Sequence, residues 1–297
     1  MGRVQVGVAE RVESEQTSSW LAPRQLLVAP TLAGVILFFL IPLGTIVAYS
    51  FAQIDLVTYD IRFGWTLANY RGLGDPLYFH TLLRSIGLSV GTTVGCLLLG
   101  FPLAYFISRQ STSWQRILLV LVLVPFWTSF IVRVYSIETL LQNTGPVDDL
   151  LRALRIVSGH FNFLYTRGSI AVGIIYSYLP TMVLPIYVGL ERIDVDVLEA
   201  AADLGASSRR TFLRVTLPLA LPGVVVGCLI VGIPAMGEYV IPEILGGGKT
   251  LMLGNVITAQ FLDVGNFTFG SSIAVALIAA MSLVLFARRY IRPLEGA

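Results

Sequence analysis

Residues 199–218 read EAAADLGASSRRTFLRVTLP, from Glu199 to Pro218, a polar segment set between two apolar runs. Glu199, Ala200, Ala201, Ala202 and Leu204 favour helix. Gly205 permits a sharp turn or a close backbone approach, so the spacing predicts a short helix ending there and a second beginning near Ser207. Small alanines let a foreign backbone come close, and Glu199, Arg209, Arg210 and Arg214 offer charges that could fix a register. The composition of this hairpin fits either a docking surface or a loop helix folded back on its own subunit. Its surroundings bear on the choice.

Those surroundings are a membrane. Hydrophobic residues make up 55% of the 297-residue chain and charged residues 13%, and the mean hydropathy is +0.78. Such a balance excludes an ordinary soluble domain and requires several spans. A net charge of +2, with dispersed arginines, gives no reason to expect nucleic acid. Cys96 and Cys228 both fall in apolar runs, so neither a disulfide framework nor a zinc site is legible. The polar first 25 residues read as a tail without a cleavable leader.

Charge-free stretches long enough for about 30 Å of hydrocarbon run over 25–54, 85–108, 168–190, 215–237 and 264–287. A sixth, 117–140, is interrupted by Arg133 and Glu138, which could snorkel or pair. The segment 250–262 is too short to cross and reads as re-entrant or interfacial on the outer side. The expected architecture is all-α and integral to the membrane. A tail over 1–25 precedes a six-helix domain over 26–290, whose hairpin loop covers 191–218, and a tail over 291–297 follows it. Of the 20 Lys and Arg residues, 12 lie in the two tails and the 109–116 and 191–214 loops, 7 lie in the other loops, and Arg133 is the last. The positive-inside rule then puts both termini and the hairpin in the cytoplasm. Pro125, Pro180, Pro185, Pro222 and Pro234 lie inside spans and permit kinks.

The spacing Glu199-Ala200-Ala201, three residues, Gly205, nine residues, Val215, one residue, Leu217-Pro218 resembles the EAA loop of ABC importer membrane subunits, with Val215 in place of Ile. Further blocks are similar to the polyamine branch of these permeases: Trp65 to Tyr70, Pro125 to Arg133, Gly237 to Gly247, and Gly254 to Ile257 with Gln260-Phe261. Together they span roughly residues 65 to 270. The resemblance implies a type I importer bundle of the MetI kind in a bacterial inner membrane. It also implies a second and different permease subunit, two copies of a cytoplasmic ATPase carrying ATP and Mg, an external solute-binding protein, and surrounding lipid. No cofactor is expected in this chain. Glu199, Ala200, Ala201, Gly205, Arg209, Leu217 and Pro218 would couple it to the ATPase.

The solute implied is a polyamine such as putrescine or spermidine. Another small solute, such as 4-aminobutyrate or an opine, is one alternative, and an ion-coupled secondary transporter using Arg133, Glu138 and Glu238 is an alternative of another class. For a cation, the outer path would use Glu238, Tyr239 and Glu243, with Trp127, Tyr135 and Glu138 as a second tier. Glu238 follows a long apolar run, where a carboxylate is expensive unless it faces water, a partner or a substrate. Arg133 would repel a polyamine, so it is expected to pair with Glu138 or with a partner subunit, leaving Glu238 and Glu243 free. Gly246-Gly247-Gly248-Lys249-Thr250 resembles the end of a P-loop, but Glu243 stands where the first glycine is required. His80 and His160 have no catalytic or metal-ligating spacing around them, and no catalytic residue is expected.

Overall fold

A computed structural model of the chain describes residues 30–157 and 162–291. The expected tails over 1–25 and, apart from Ile291, over 291–297 lie outside the described residues, as does His160. The described residues are mostly helical, with one small β-hairpin. Helix α1 (Pro30–Ser50) contains a π turn at Ile36–Leu40, and strands β1 (Ala52–Ile54) and β2 (Ile61–Phe63) pair antiparallel outside it. Then come α2 (Ala68–Gly72), α3 (Pro76–Ser108), α4 (Thr112–Leu123) running into a 3-10 turn at Val124–Trp127, α5 (Phe130–Leu141) and α6 (Pro146–Ala153). The second half holds α7 (Arg167–Glu191), α8 (Val195–Asp203), α9 (Ser208–Met236), α10 (Val240–Gly246), α11 (Leu253–Leu262) and α12 (Phe267–Ile291).

Helices α1, α3, α7 and α9 are each long and apolar enough to cross a bilayer. The stretch expected as a single span over 117–140 is instead broken, with the arms Thr112–Trp127 and Phe130–Ala153 bent by 91°. Pro125 cannot donate to the helix ladder, and Thr128 and Ser129 are extended, which ends one helix before the next begins. Six spans are reached only if this bent pair and α12 each count as one. Two expected limits also move. The first span stops at Ser50, because Ala52–Ile54 form a strand. Helix α3 starts at Pro76 instead of Ser85, because His80 and Arg84 interrupt hydropathy without interrupting helix, and Asp75 caps it by accepting from Leu77 N–H at 2.8 Å.

Helices α3, α7 and α9 form the centre. The buried residues of α3 are Thr81, Ser85, Ser89, Thr92, Cys96, Gly100, Ala104 and Ile107, a stripe of mostly small side chains every three or four positions. In hydrocarbon there is no hydrophobic drive between helices, so close backbone approach and interhelical hydrogen bonds supply the attraction. The stripe provides both. Ser89 donates to the Gly232 carbonyl at 2.7 Å, and Gly100 packs on Met182. Toward the hairpin end, Met182, Val183, Ile186, Ala220 and Val224 bury one apolar cluster, and at the other end Val134, Ile137, Ile170, Ile174, Ile241 and Leu245 bury another.

Helix α1 stands apart, packing mainly on α12 with none of its apolar window buried. The Trp65 to Tyr70 block ties down its exit: Asn69 Nδ2 donates to the Ser50 and Ala52 carbonyls, Tyr70 donates to Ser50 Oγ at 2.8 Å, and Phe51 lies between the Trp65 and Tyr70 rings.

Candidate functional site

The hairpin is built from a helix stop and a π turn. Asp194 caps α8 by accepting from Asp196 N–H. At the far end Gly205 adopts φ +78°, its N–H donates to the Ala202 carbonyl at 2.8 Å, and Ala206 N–H donates to the Ala201 carbonyl at 3.0 Å. This pair of bonds is the Schellman stop, which requires a left-handed residue at the glycine position. The spacing from the alanines to Gly205 is thus the spacing of a helix C-cap. A Cβ at Gly205 would meet nothing within 4 Å, so the constraint there is conformational within this chain. Helix α9 begins at Ser208 and passes through a π turn at Phe212–Thr216 before Leu217 and Pro218. Proline at 218 cannot donate, and the wider turn absorbs the missing bond. Phe212 packs edge-on against Phe101 and Tyr105, which anchors this arm to the end of α3.

The two arms carry opposite charge. Asp194, Asp196, Glu199 and Asp203 mark the first, and Arg209, Arg210 and Arg214 mark the second. All seven are exposed, and none joins an ion pair with another, the Arg152–Asp148 bridge being the one ion pair among the described residues. Ala200 and Pro218 are exposed, while Ala201 and Leu217 are half-buried. Leu204 at the tip is 89% exposed. It was not among the expected site residues, although a lone leucine inside a polar turn is legible in the sequence. Behind the hairpin α7 and α9 cross closely: a Cβ on Gly223 would stand 2.5 Å from the Pro185 carbonyl oxygen, and one on Gly189 would stand 3.3 Å from Gly223 Cα. A groove of about 750 Å³ lies beside this crossing, apolar except for Arg192 and Asp194.

At the other end, α9 stops at Gly237 and the chain turns into α10. Glu238 is buried there at 8% exposure. Its Oε2 accepts from the Tyr178 hydroxyl at 2.8 Å, and its Oε1 accepts from Val240 N–H at 3.1 Å, so the carboxylate caps α10. Glu243 is exposed and accepts from Asn255 Nδ2 at 2.7 Å, and the same amide donates to the Tyr239 carbonyl. The expectation that both carboxylates are free therefore needs correction: each is held by its own chain, through Tyr178 sixty residues away and through Asn255. The expected short helix over 250–262 is α11, whose first turn is fixed by Leu253 N–H donating to Ser85 Oγ. The Gly246–Gly248 run is a left-handed stop for α10, with Lys249 over the Tyr165 ring.

Trp127, Tyr135 and Glu138 lie on the bent pair. Trp127 is 79% and Tyr135 53% exposed, and Glu138 is half-buried. Helix α5 packs on α10 through Val134 and Ile137 against Ile241 and Leu245, which brings the two tiers to one end of the bundle. No hydrogen bond joins the tiers. Arg133 does not pair with Glu138: five residues apart puts them about 140° apart around a helix. Its guanidinium instead lies 4.8 Å from the Phe126 ring centroid and 5.7 Å from that of Phe130. Its Nε has no hydrogen-bond partner. A guanidinium this buried is costly without a counter-charge or hydrogen-bond acceptor, so it calls for a partner. Among the described residues no cluster of His, Cys, Asp or Glu could hold a metal.

The architecture of this bundle is shared with solved transporters. The chain superposes on a subunit of a bacterial ABC transporter that imports the acidic polysaccharide alginate, with TM-score 0.67 and 17% identity over 95% of this chain and 99% of that one. It superposes on a subunit of the MetNI methionine ABC transporter with TM-score 0.54 and 18% identity over 73% and 96%. Sequence carries the relation further, since residues 85–294 match the model of the binding-protein-dependent transport system inner membrane component. The chain belongs to that family. It is the membrane permease subunit of a bacterial ABC importer, and not itself the catalytic subunit. Among curated members, the spermidine/putrescine transport system permease protein PotB of Escherichia coli strain K12 is 38% identical over 86% of this chain and 93% of its own. PotB of Haemophilus influenzae is 38% identical over 89% and 92%. The inner membrane ABC transporter permease protein YdcU of E. coli is 30% identical over 81% and 80%. In this family member, α7, α9 and the part of α3 from Ser85 onward fall within the matched region, and so do the hairpin, Arg133 and Glu238.

Proposed function

We propose that this permease subunit forms part of the path for a polyamine such as putrescine or spermidine, in a complex with a second permease subunit, two ATPase copies and an external solute-binding protein. The observation carrying the solute class is the 38% identity to PotB permeases across nearly the whole chain. ATP and Mg belong on the ATPase partner. The exposed hairpin from Val195 to Pro218 is the part that docks there, with Leu204 as its apolar tip and Glu199 and Arg209 as its charged flanks. Because the tight α7–α9 crossing lies directly behind the hairpin, a displacement of the loop moves both helices together.

At the opposite end, Tyr239, Glu243, Trp127 and Tyr135 present exposed polar and aromatic surface to an ammonium group. A cation over Tyr or Trp gains about 0.5–2 kcal/mol, enough to guide passage without trapping it. Glu238 contributes negative potential from its buried position. The test is uptake of labelled spermidine, with 4-aminobutyrate as comparator, in the Glu238→Gln and Glu243→Gln variants. Spermidine uptake is expected to fall about tenfold in each, with the Glu238→Gln helix cap preserved in part by the amide oxygen. Parental spermidine rate and affinity in both variants, or preferred uptake of 4-aminobutyrate by the parent, would remove the acidic path.

The proposed orientation has both termini and the hairpin in the cytoplasm. Single cysteines at Ser207 and Ser113, in a background lacking Cys96 and Cys228, are expected to resist impermeant thiol reagents in intact cells. Cysteines at Asp75 and Lys249 are expected to label. Gly247 is unsuited as a probe site because its Cβ would collide with the Tyr165 ring. Labelling of position 207 from outside would overturn the orientation and the docking role together.

A further inference from the structure

We propose that the first turn of α5 and the side chain of Arg133 form a binding site for the phosphate of a membrane phospholipid. The proposal does not depend on the solute. Ser129 occupies the N-cap of α5 but its side chain makes no capping bond, and no acidic residue lies in the first turn. Thr128, just before it, turns its hydroxyl away to the Pro125 carbonyl at 2.7 Å. The first N–H groups of a helix have no partner within the helix, so those of Phe130, Ile131 and Val132 are open at this end. Three aligned donors and the helix dipole favour an anion there.

Arg133 supplies the second, independent observation. It is only 9% exposed, and its Nε is without a hydrogen-bond partner. Side chains on a helix lean toward its N-terminus, and the guanidinium reaches back to the Phe126 ring, three residues before the N-cap. Its charge is therefore added to the positive end of α5, where it is repelled unless an anion joins both. A guanidinium fork and helix N–H groups together match the oxygens of a phosphate.

Depth argues for a lipid as the source. Helix α4 and its 3-10 turn, Thr112–Trp127, have a length of about 25 Å, most of the ~30 Å hydrocarbon thickness. Trp114, 58% exposed at the start of α4, marks the near end as an interfacial tryptophan does. The 91° bend then turns α5 across the bundle at the far interface, where headgroups lie. Ile131 and Val132, both more than half exposed, flank the open N–H groups with apolar surface suited to acyl chains.

The experiment uses the permease complex purified from membranes and stripped of loosely held lipid by detergent. Its thermal midpoint is followed on adding dioctanoyl phosphatidylglycerol, dioctanoylglycerol, which lacks the phosphate, or inorganic phosphate. The phosphatidylglycerol is expected to raise the midpoint by several degrees, and the other two are expected not to. In Arg133→Gln the concentration needed should rise at least tenfold, and in Arg133→Lys, which keeps the charge without the fork, it should be intermediate. A parental response in Arg133→Gln would overturn the site. An equal response to inorganic phosphate would reassign it to a free anion. Should Arg133→Gln instead shed the second permease subunit while its lipid response stays parental, the arginine belongs to a carboxylate of that subunit and the lipid proposal is lost.

Discussion

Replacing Glu199 with Lys is expected to leave the protein inserted and assembled while lowering solute uptake, and solute-stimulated ATP hydrolysis by the complex, about thirtyfold or more. Glu199 is exposed midway along α8, before the Schellman stop, so its loss costs the isolated chain almost nothing. Docked as proposed it would become a desolvated charge, and disrupting one partner of such a pair costs about 2–5 kcal/mol. Gly205→Val acts differently. Space is open around its Cβ, but φ +78° costs an L-residue about 1–2 kcal/mol, and more for a β-branched one, so the turn opens and the two arms lose register. Uptake should fall about tenfold. Both rates are to be measured in inverted vesicles or proteoliposomes at matched expression, and full coupling in both variants would sink the docking role.

The largest effect on stability is expected from Gly223→Ala. Its new methyl group would stand 2.5 Å from the Pro185 carbonyl oxygen and against Gly189, and these are backbone atoms that no side-chain rotation can move aside. Overpacking of this kind costs about 1–3 kcal/mol, which corresponds to a fall of roughly 2–9 °C in the thermal midpoint. Gly91→Ala is the control: nothing lies within 4 Å of its Cβ, and alanine is the better helix former, so its midpoint should hold or rise. Equal midpoints for the two variants would remove the crossing as a point of close approach.

What was legible in the chain was whatever obeys a local rule. The hairpin could be read because a helix stop fixes the distance from Ala201 to Gly205 through two backbone bonds. Most spans could be read because hydrocarbon thickness sets a length. The α3 stripe was also there to be read, as Ser85, Ser89, Thr92, Cys96, Gly100 and Ala104, but a hydropathy window scores serine and isoleucine by polarity and is blind to their size. The break at 124–129 was signalled by Pro125 only as a kink. Its right angle depends on α5 packing over α10, which no local pattern states. The partners of Glu238 and Glu243 escaped for the same reason, since Tyr178 and Asn255 are brought there by the crossing of other helices. With those partners hidden, a carboxylate at the end of an apolar run looked free.

The seating of α1 against α12 has a consequence for how the protein is made. Among the described residues α1 precedes α12 by all of the intervening helices, so α1 waits for its main neighbour while those are made. Its mean hydropathy of 2.4, with none of that window buried in the bundle, suits such a wait, because lipid alone can hold it. Seating α12 on α1 then closes the described bundle after its central helices are in place. A ribosome that stalls before Phe267 would leave a nearly finished bundle with its first helix adrift, a species that membrane quality control could recognise by that loose end.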